Sequence, residues 1–320
     1  MKKLIYFLAA LLALCGCTSE SDSLVTAPQD EPIVLNSSIG DIASEVTRAP
    51  IESTHAAALN VAFVRIDQAS DGTWPAWSTA SKALLATRAA TNGTAAITFN
   101  SGHEQYYPTG TENNAIRLVG WYPTSTSIVS GVVGFTIDGK TDFMVTDEVE
   151  GSASSKFTGS DKQFAFKHLL SRITVKAYGD AQASANWGTI TSVKVKTYIG
   201  ANYSLVSKSL QNVNSQMITL KNPANDTGMS AGVVLTNTTT GSAATCGYAL
   251  ISLPNLTCTL EVTTTKGGTR TVDVSPSSGS FLASTHYTVY LNFKSTTIAP
   301  YATVSPWTTS SDTPTGTFPN

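Results

Sequence analysis

The residue types that most often carry chemistry are few in this chain and poorly grouped. The four histidines, His55, His103, His168 and His286, are scattered without ligand spacing, so no metal site and no zinc is expected. His168 lies beside Leu169 and Leu170 in a strongly apolar stretch, and a buried, hydrogen-bonded strand histidine is expected there rather than an acid–base catalyst. Asp147-Glu148-Val149-Glu150 has the oxygen ligands that a hard cation requires, but a solvated acidic loop is the simpler expectation. Nucleophile elbows and phosphate loops are not visible, and no cofactor is implied. Hydrolysis of a glycoside needs only two carboxylates and no local motif, yet nothing in the spacing singles out a pair. The expectation is a protein that is not an enzyme. Trp74, Trp77, Tyr106 and Tyr107 offer flat apolar faces that suit a sugar ring, and equally suit packing between strands.

Two of the four cysteines lie near the N-terminus. Met1-Lys2-Lys3 is basic, and Leu4 to Leu14 is an unbroken apolar run, shorter than the roughly 20 residues of a membrane-spanning helix. That combination fits a secretory signal. Leu14-Cys15-Gly16-Cys17 resembles a bacterial lipobox, which implies a signal peptide over 1–16 and acylation of the Cys17 thiol. The acyl chains would tie the new N-terminus to a membrane surface. The alternative is an ordinary signal peptide with an incidental cysteine. The acidic and serine-rich run after Cys17 resembles the export tag of lipoproteins sent to the outer face of the outer membrane. Cys246 and Cys258 remain. An oxidising compartment would permit them to pair, but their separation along the chain does not establish that their Cβ atoms meet.

These residues must be positioned by elements that are almost all strands. Of the 320 residues only 13% are charged and the net charge is −2, which points away from nucleic acid as a partner. Abundant Thr, Ser, Gly and Asn suit exposed strand faces. Ile33, Leu35 and Ile39 fall on one side of an extended segment. Arg48-Ala49-Pro50 follows as an exposed connection of the kind that proteases cut. Ala80 to Ala90 carries the highest helical propensity in the chain. Val132 to Ile137, Asp138-Gly139 and Thr141 to Val145 read as a hairpin, as does the pair of strands around Lys266-Gly267-Gly268. The last strand signal, Ile298 to Trp307, precedes a polar tail over 308–320. Many short strands separated by turns predict an all-β protein built as a pair of β-sandwiches.

Three stretches carry a family resemblance. Phe164-Ala-Phe-Lys-His168-Leu-Leu-Ser-Arg172-Ile-Thr-Val175 is similar to a strand signature of fimbrillin-like proteins, the type V pilins of bacterial surfaces. Phe135-Thr-Ile-Asp138-Gly139-Lys-Thr-Asp142-Phe-Met144 resembles a second signature, a turn followed by Asp-x-Met. Tyr287 to Phe293 and Ala302-Thr-Val-Ser-Pro-Trp307 resemble the closing strands. The resemblance implies two tandem transthyretin-like β-sandwich domains, 49–165 and 166–320, after the signal peptide and a lipidated extension over 17–48.

It also implies a stalk, tip or anchor subunit of an adhesive pilus at the cell outer membrane. An arginine-specific protease would cut between Arg48 and Ala49 and release a placeholder strand containing Ile33, Leu35 and Ile39. A strand from another pilus subunit would then add to the vacated sheet, with backbone hydrogen bonds giving affinity and alternate side chains giving register. Ile298, Tyr301, Val304 and Trp307 mark the candidate donor. Two departures stand out: Pro50 lies two residues beyond the cut, and the tail after Trp307 has only Phe318 as an apolar residue. A donor locked into its own domain would make the subunit a fibre cap. The competing reading is a surface glycan-binding lipoprotein using the Trp74/Trp77 pair.

Overall fold

The computed structural model describes residues 31–39, 51, 55–108, 114–124, 127–229, 232–236, 239–252, 257–276 and 281–306. The all-β expectation holds. β1 (Leu35–Ile39), β2 (Leu59–Asp67), β3 (Leu84–Arg88), β4 (Ala95–Phe99) and β5 (Ile116–Tyr122) come first. They are followed by β6 (Ile128–Val129), β7 (Val132–Thr136), β8 (Met144–Thr146), β9 (Val149–Gly151) and β10 (Phe164–His168). Next come β11 (Ser171–Gly179), the short helix α1 (Ala183–Trp187), β12 (Thr189–Ser204), β13 (Ser209–Thr219) and β14 (Val233–Val234). β15 (Ala244–Ile251), β16 (Cys258–Thr264), β17 (Gly268–Val274), β18 (Thr285–Phe293) and β19 (Ile298–Pro306) complete the set.

The first sheet runs β2-β3-β4-β1-β10-β8-β5-β9, and a further β2–β5 pairing closes it into a ring. Strict alternation of buried with half-buried or exposed residues along β1, β3, β4 and β10 turns one face of each strand inward. The enclosed core includes Leu35, Val61, Phe63, Leu118, Met144, Phe164 and Phe166. Phe63 is its centre, with edge-to-face contacts to Phe164 at 5.2 Å, Phe99 at 5.9 Å and Phe166 at 6.4 Å between ring centroids.

A four-stranded sheet, β15-β11-β18-β19, faces a seven-stranded sheet built on β17-β16-β12-β7-β6, with β13 and β14 also paired to β12. Ile173, Val175, Val193, Val195, Leu260, Tyr287, Val289 and Leu291 are buried between these two sheets. A third cluster joins the two halves, in which Ala62, Val64, Val119, Trp121 and Val145 of the ring meet Val133 of β7 and Ala201 and Tyr203 of β12. β2 and β5 are therefore covered on both faces, which is why they read as near-continuous apolar runs rather than alternating ones.

Two local expectations are corrected. The stretch with the highest helical propensity contains β3, paired with β2 and β4, because the ladder and an inward Leu84–Ala86–Arg88 face outweigh a weak local preference. The Asp138-Gly139 turn does not join a hairpin: β7 pairs with β12 and β6, whereas β8 pairs with β10 and β5. The turn is a crossover between sheets. Asp138 Oδ1 accepts the Lys140 and Thr141 N–H groups, Gly139 takes φ +82°, and the Leu250 N–H donates to the Gly139 carbonyl at 2.8 Å. The predicted hairpin around Lys266 is present, as β16 and β17 pair from Thr264↔Gly268 to Cys258↔Val274.

Candidate functional site

The N-terminal strand is the element whose placement is hardest to explain as ordinary packing. β1 lies inside the ring, antiparallel to β4 (Leu35↔Ile97, Asn36↔Ala96, Ser37↔Ala95) and parallel to β10 (Ser37↔Phe164, Ser38↔Ala165, Ile39↔Phe166). Just before it, the Ile33 N–H donates to the Gln105 carbonyl at 2.8 Å, and the Tyr107 N–H donates to the Glu31 carbonyl at 3.0 Å. Lys156 pairs with the Glu31 carboxylate. Ile33, Leu35 and Ile39, singled out from sequence, all turn into the ring core and are brought together there. Ser37 shares their face and was not singled out. It is completely buried, and its hydroxyl donates to the Ala95 carbonyl at 3.1 Å. Only its place in the period-two pattern marks it, because a serine carries no apolar signal of an inward position.

Cys17, Arg48, Ala49 and Trp307 lie outside the described residues. Ile298 and Tyr301 are both on β19, the edge strand of the four-stranded sheet, but on opposite faces. Ile298 packs against the core, while Tyr301 stacks on Tyr290 at 5.1 Å outside it. Val304 stands opposite Tyr287 in the β18–β19 ladder.

The two family-like signatures meet in a buried ion-pair geometry. His168 Nδ1 at the end of β10 lies 2.7 Å from Asp142 Oδ2, with both side chains almost fully buried. Asp142 Oδ1 also accepts its neighbour Phe143's N–H at 2.8 Å. The Leu169 N–H donates to the Phe143 carbonyl, and the Ser284 hydroxyl donates to the His168 carbonyl. Asp142 and His168 thus tie the crossover to β10. The structure gives His168 the hydrogen-bonded core role expected from sequence, but its partner, 26 residues away, was not foreseen.

Arg172, at the start of β11, lies over the Tyr248 ring at 5.2 Å, and the Tyr248 hydroxyl donates to Asp226 Oδ1 at 2.6 Å. His286 Nε2 sits 2.9 Å from Thr174 Oγ1. Burial, then the nearby Arg172 and Lys176 charges, lower the His286 pKa to about 3. The unfolded chain therefore binds the extra proton first as pH falls. The stability due to a neutral His286 is fully present above about pH 6.5 and is lost progressively as pH drops toward 3. The unfolding free energy is expected to fall by up to about 2 kcal/mol from pH 7 to pH 5 through this group. Urea unfolding at the two pH values checks this, and His286→Gln should flatten that part of the slope.

Cys246 of β15 and Cys258 of β16 are buried free thiols in the core between the second and third sheets, not a disulfide. Desolvation pushes both up to about 12, with Asp273 adding to the shift at Cys258. Neither is expected to react with iodoacetamide at pH 8 in the folded chain, and both should react after denaturation, as intact mass would record.

Three of the four sugar-platform aromatics and the cation-loop carboxylates are engaged by packing, hydrogen bonds or ion pairs. Trp77 is buried and its indole N–H donates to Glu148 Oε2 at 2.7 Å, while the Arg117 guanidinium covers the Trp74 ring at 3.8 Å. Tyr107 is buried, with its hydroxyl accepting the Phe157 N–H, and Tyr106 is exposed. Arg117 pairs with Glu148 and Glu150, and Lys167 pairs with Asp147. Among the described residues no group of three or more His, Cys, Asp or Glu side chains is placed to hold a metal ion.

Comparison with known proteins bears on the fold and the family. No curated protein matches the sequence. A candidate cell adhesion protein from Bacteroides uniformis shares the fold with a TM-score of 0.56 at 19% identity, over 87% of this chain and 99% of that one. A candidate cell adhesion protein from Parabacteroides distasonis gives 0.54 at 10% identity, over 87% and 98%. The fimbrillin-like family profile matches residues 47–307. The chain belongs to the fimbrillin-like family.

Proposed function

We propose that this protein is a structural, adhesive subunit of a surface pilus, exported as an outer-membrane lipoprotein acylated at Cys17 and assembled by strand exchange. β1 acts as a placeholder. Proteolysis between Arg48 and Ala49 frees it, and a strand from another subunit takes its place. One observation carries the reading: a short N-terminal strand completes the interior of a closed sheet, paired on both sides. Burial of Ile33, Leu35 and Ile39 contributes roughly 1.5–3 kcal/mol each, enough to hold the precursor closed. Without β1, the facing edges of β4 and β10 expose unpaired backbone beside an apolar interior, a state that favours capture of another strand.

The reading takes 49–165 and 166–320 as two transthyretin-like units; the separate ring core and inter-sheet core support a division in two, and β10, which pairs within the ring, runs across the 165/166 boundary. β6 and β7 cross that division by joining β12. β19, with Ile298, Tyr301 and Val304, serves as the donor region together with Trp307. The experiment is N-terminal analysis of the protein taken from the cell surface. Chains beginning at Ala49 in detergent-resistant ladders are expected in assembled material, and acylated Cys17 in the precursor. Ladders built from chains that still retain 17–48 would exclude placeholder release.

A further inference from the structure

The wall of the ring splays apart beyond Phe63. β2 and β3 pair from Leu59↔Arg88 to Phe63↔Leu84, while β2 runs on to Asp67 against β5 alone. The chain leading into β3 turns away instead: it forms a 3₁₀ turn over Trp77–Thr79, and the Ala80 carbonyl then accepts the Gly131 N–H at 3.2 Å. The gap is a cleft of about 510 Å³, within the roughly 300–1,000 Å³ of small-molecule sites. Arg65, Asp67, Thr79, Ser81, Lys82 and Gln105 supply its polar lining.

Leu59, Val61 and Phe63 point into the ring core, and Arg65 continues that face at the end of the strand. Its guanidinium is fixed by the protein. Nε donates to Asp67 Oδ1 at 2.6 Å, and Nη1 donates to Gln105 Oε1 at 3.2 Å and to the Tyr106 carbonyl at 2.9 Å. Nη2 donates to no group among the described residues, so one positioned end of the fork is left for an acceptor from outside. The exposed Lys82 ammonium likewise has no ion-pair partner among the described residues.

Two cations against the Asp67 carboxylate leave the lining with one net positive charge, which suits a ligand carrying a single negative group. A bare anion would leave most of this volume unfilled. The other open groups suit hydroxyls: Asp67 Oδ2 accepts, the Ser81 hydroxyl donates and accepts, and no strand takes up the β2 edge at Arg65 and Asp67 on this side.

We propose that the cleft binds a sugar bearing one carboxylate, with that carboxylate on Arg65 Nη2 and Lys82 and the ring hydroxyls on Asp67, Ser81 and the open β2 edge. This rests on the adhesive part of the reading above and gives adhesion a ligand class; strand exchange plays no part in it.

Saturation-transfer NMR and isothermal titration on the full, uncut chain test it. Glucuronic acid and N-acetylneuraminic acid are the probes, separating a uronic from a sialic source, with methyl glucoside and acetate as controls. At least one sugar acid is expected to bind at millimolar concentrations, and both controls about tenfold or more weakly. Arg65→Gln should weaken the sugar acid by about tenfold or more, and Lys82→Gln by about threefold. Lys82 holds nothing in the fold, so its variant keeps the test decisive even if Arg65→Gln disturbs the wall, which the Tm of each variant records. Methyl glucoside or acetate binding as tightly as the sugar acids would overturn the proposal. So would unchanged binding in Lys82→Gln and a folded Arg65→Gln. Failure of both sugar acids to bind would overturn it too, while ladders of chains beginning at Ala49 would still be expected, which separates that failure from failure of the pilus reading.

Discussion

Asp142→Ala is expected to destabilise the protein by about 3–5 kcal/mol, the range typical for breaking one side of a buried pair. The substitution removes the acceptor for His168 Nδ1 and for the Phe143 N–H in one step, and no water-exposed route replaces either. It also loosens the crossover between β7 and β8, because the Leu169–Phe143 backbone bond lies beside the same pair. Asp142→Asn keeps an oxygen that can serve Phe143 and should lose less, about 1–3 kcal/mol. Urea midpoints for the two variants measure the difference. A loss below about 1 kcal/mol for Asp142→Ala would show that the pair is dispensable to the fold.

Phe63→Ala should be comparably damaging, at about 3–5 kcal/mol, because the ring is fully buried and holds three other phenylalanines edge-on. A second substitution makes this prediction sharper. The Gly120 backbone lies against the same ring, such that a Cβ there would come within 2.6 Å of Phe63 Cε1. Gly120→Ala alone is therefore expected to destabilise by about 1–3 kcal/mol through overpacking. In the Phe63→Ala background the added methyl enters the vacated space, so the double variant should be more stable than the sum of the single losses predicts. Strict additivity in a double-mutant cycle would count against a direct Phe63–Gly120 contact.

The sequence carried the features that depend on one strand at a time. The alternation of Ile33, Leu35 and Ile39 marked β1 and its buried face, and the glycines at 267 and 268 marked the β16–β17 hairpin. Features that depend on which strands become neighbours were hidden. Asp138-Gly139 is a sound turn signal, but the turn alone does not say that its two strands join different sheets. The propensity of Ala80 to Ala90 could not register the ladders with β2 and β4 that override it. Asp142 and His168 stood in separate motifs, and only the crossover that brings them together shows them to be partners. Ser37 looked like an ordinary polar residue because the Ala95 carbonyl that accepts its hydroxyl lies far along the chain.

The mixed pairing of β1 also determines how the molecule bears load. A pull on the chain from its N-terminal side acts along β1, parallel to its length, and β4 and β10 grip that strand from opposite edges. Hydrogen bonds in both ladders lie across the pull and are strained together rather than one after another. The strand therefore resists as a shear joint, whereas a strand at the rim of a sheet can be peeled away bond by bond. Any strand seated in the same slot inherits that geometry, so the joint's mechanical strength comes from its place inside the ring rather than from the identity of the strand that fills it.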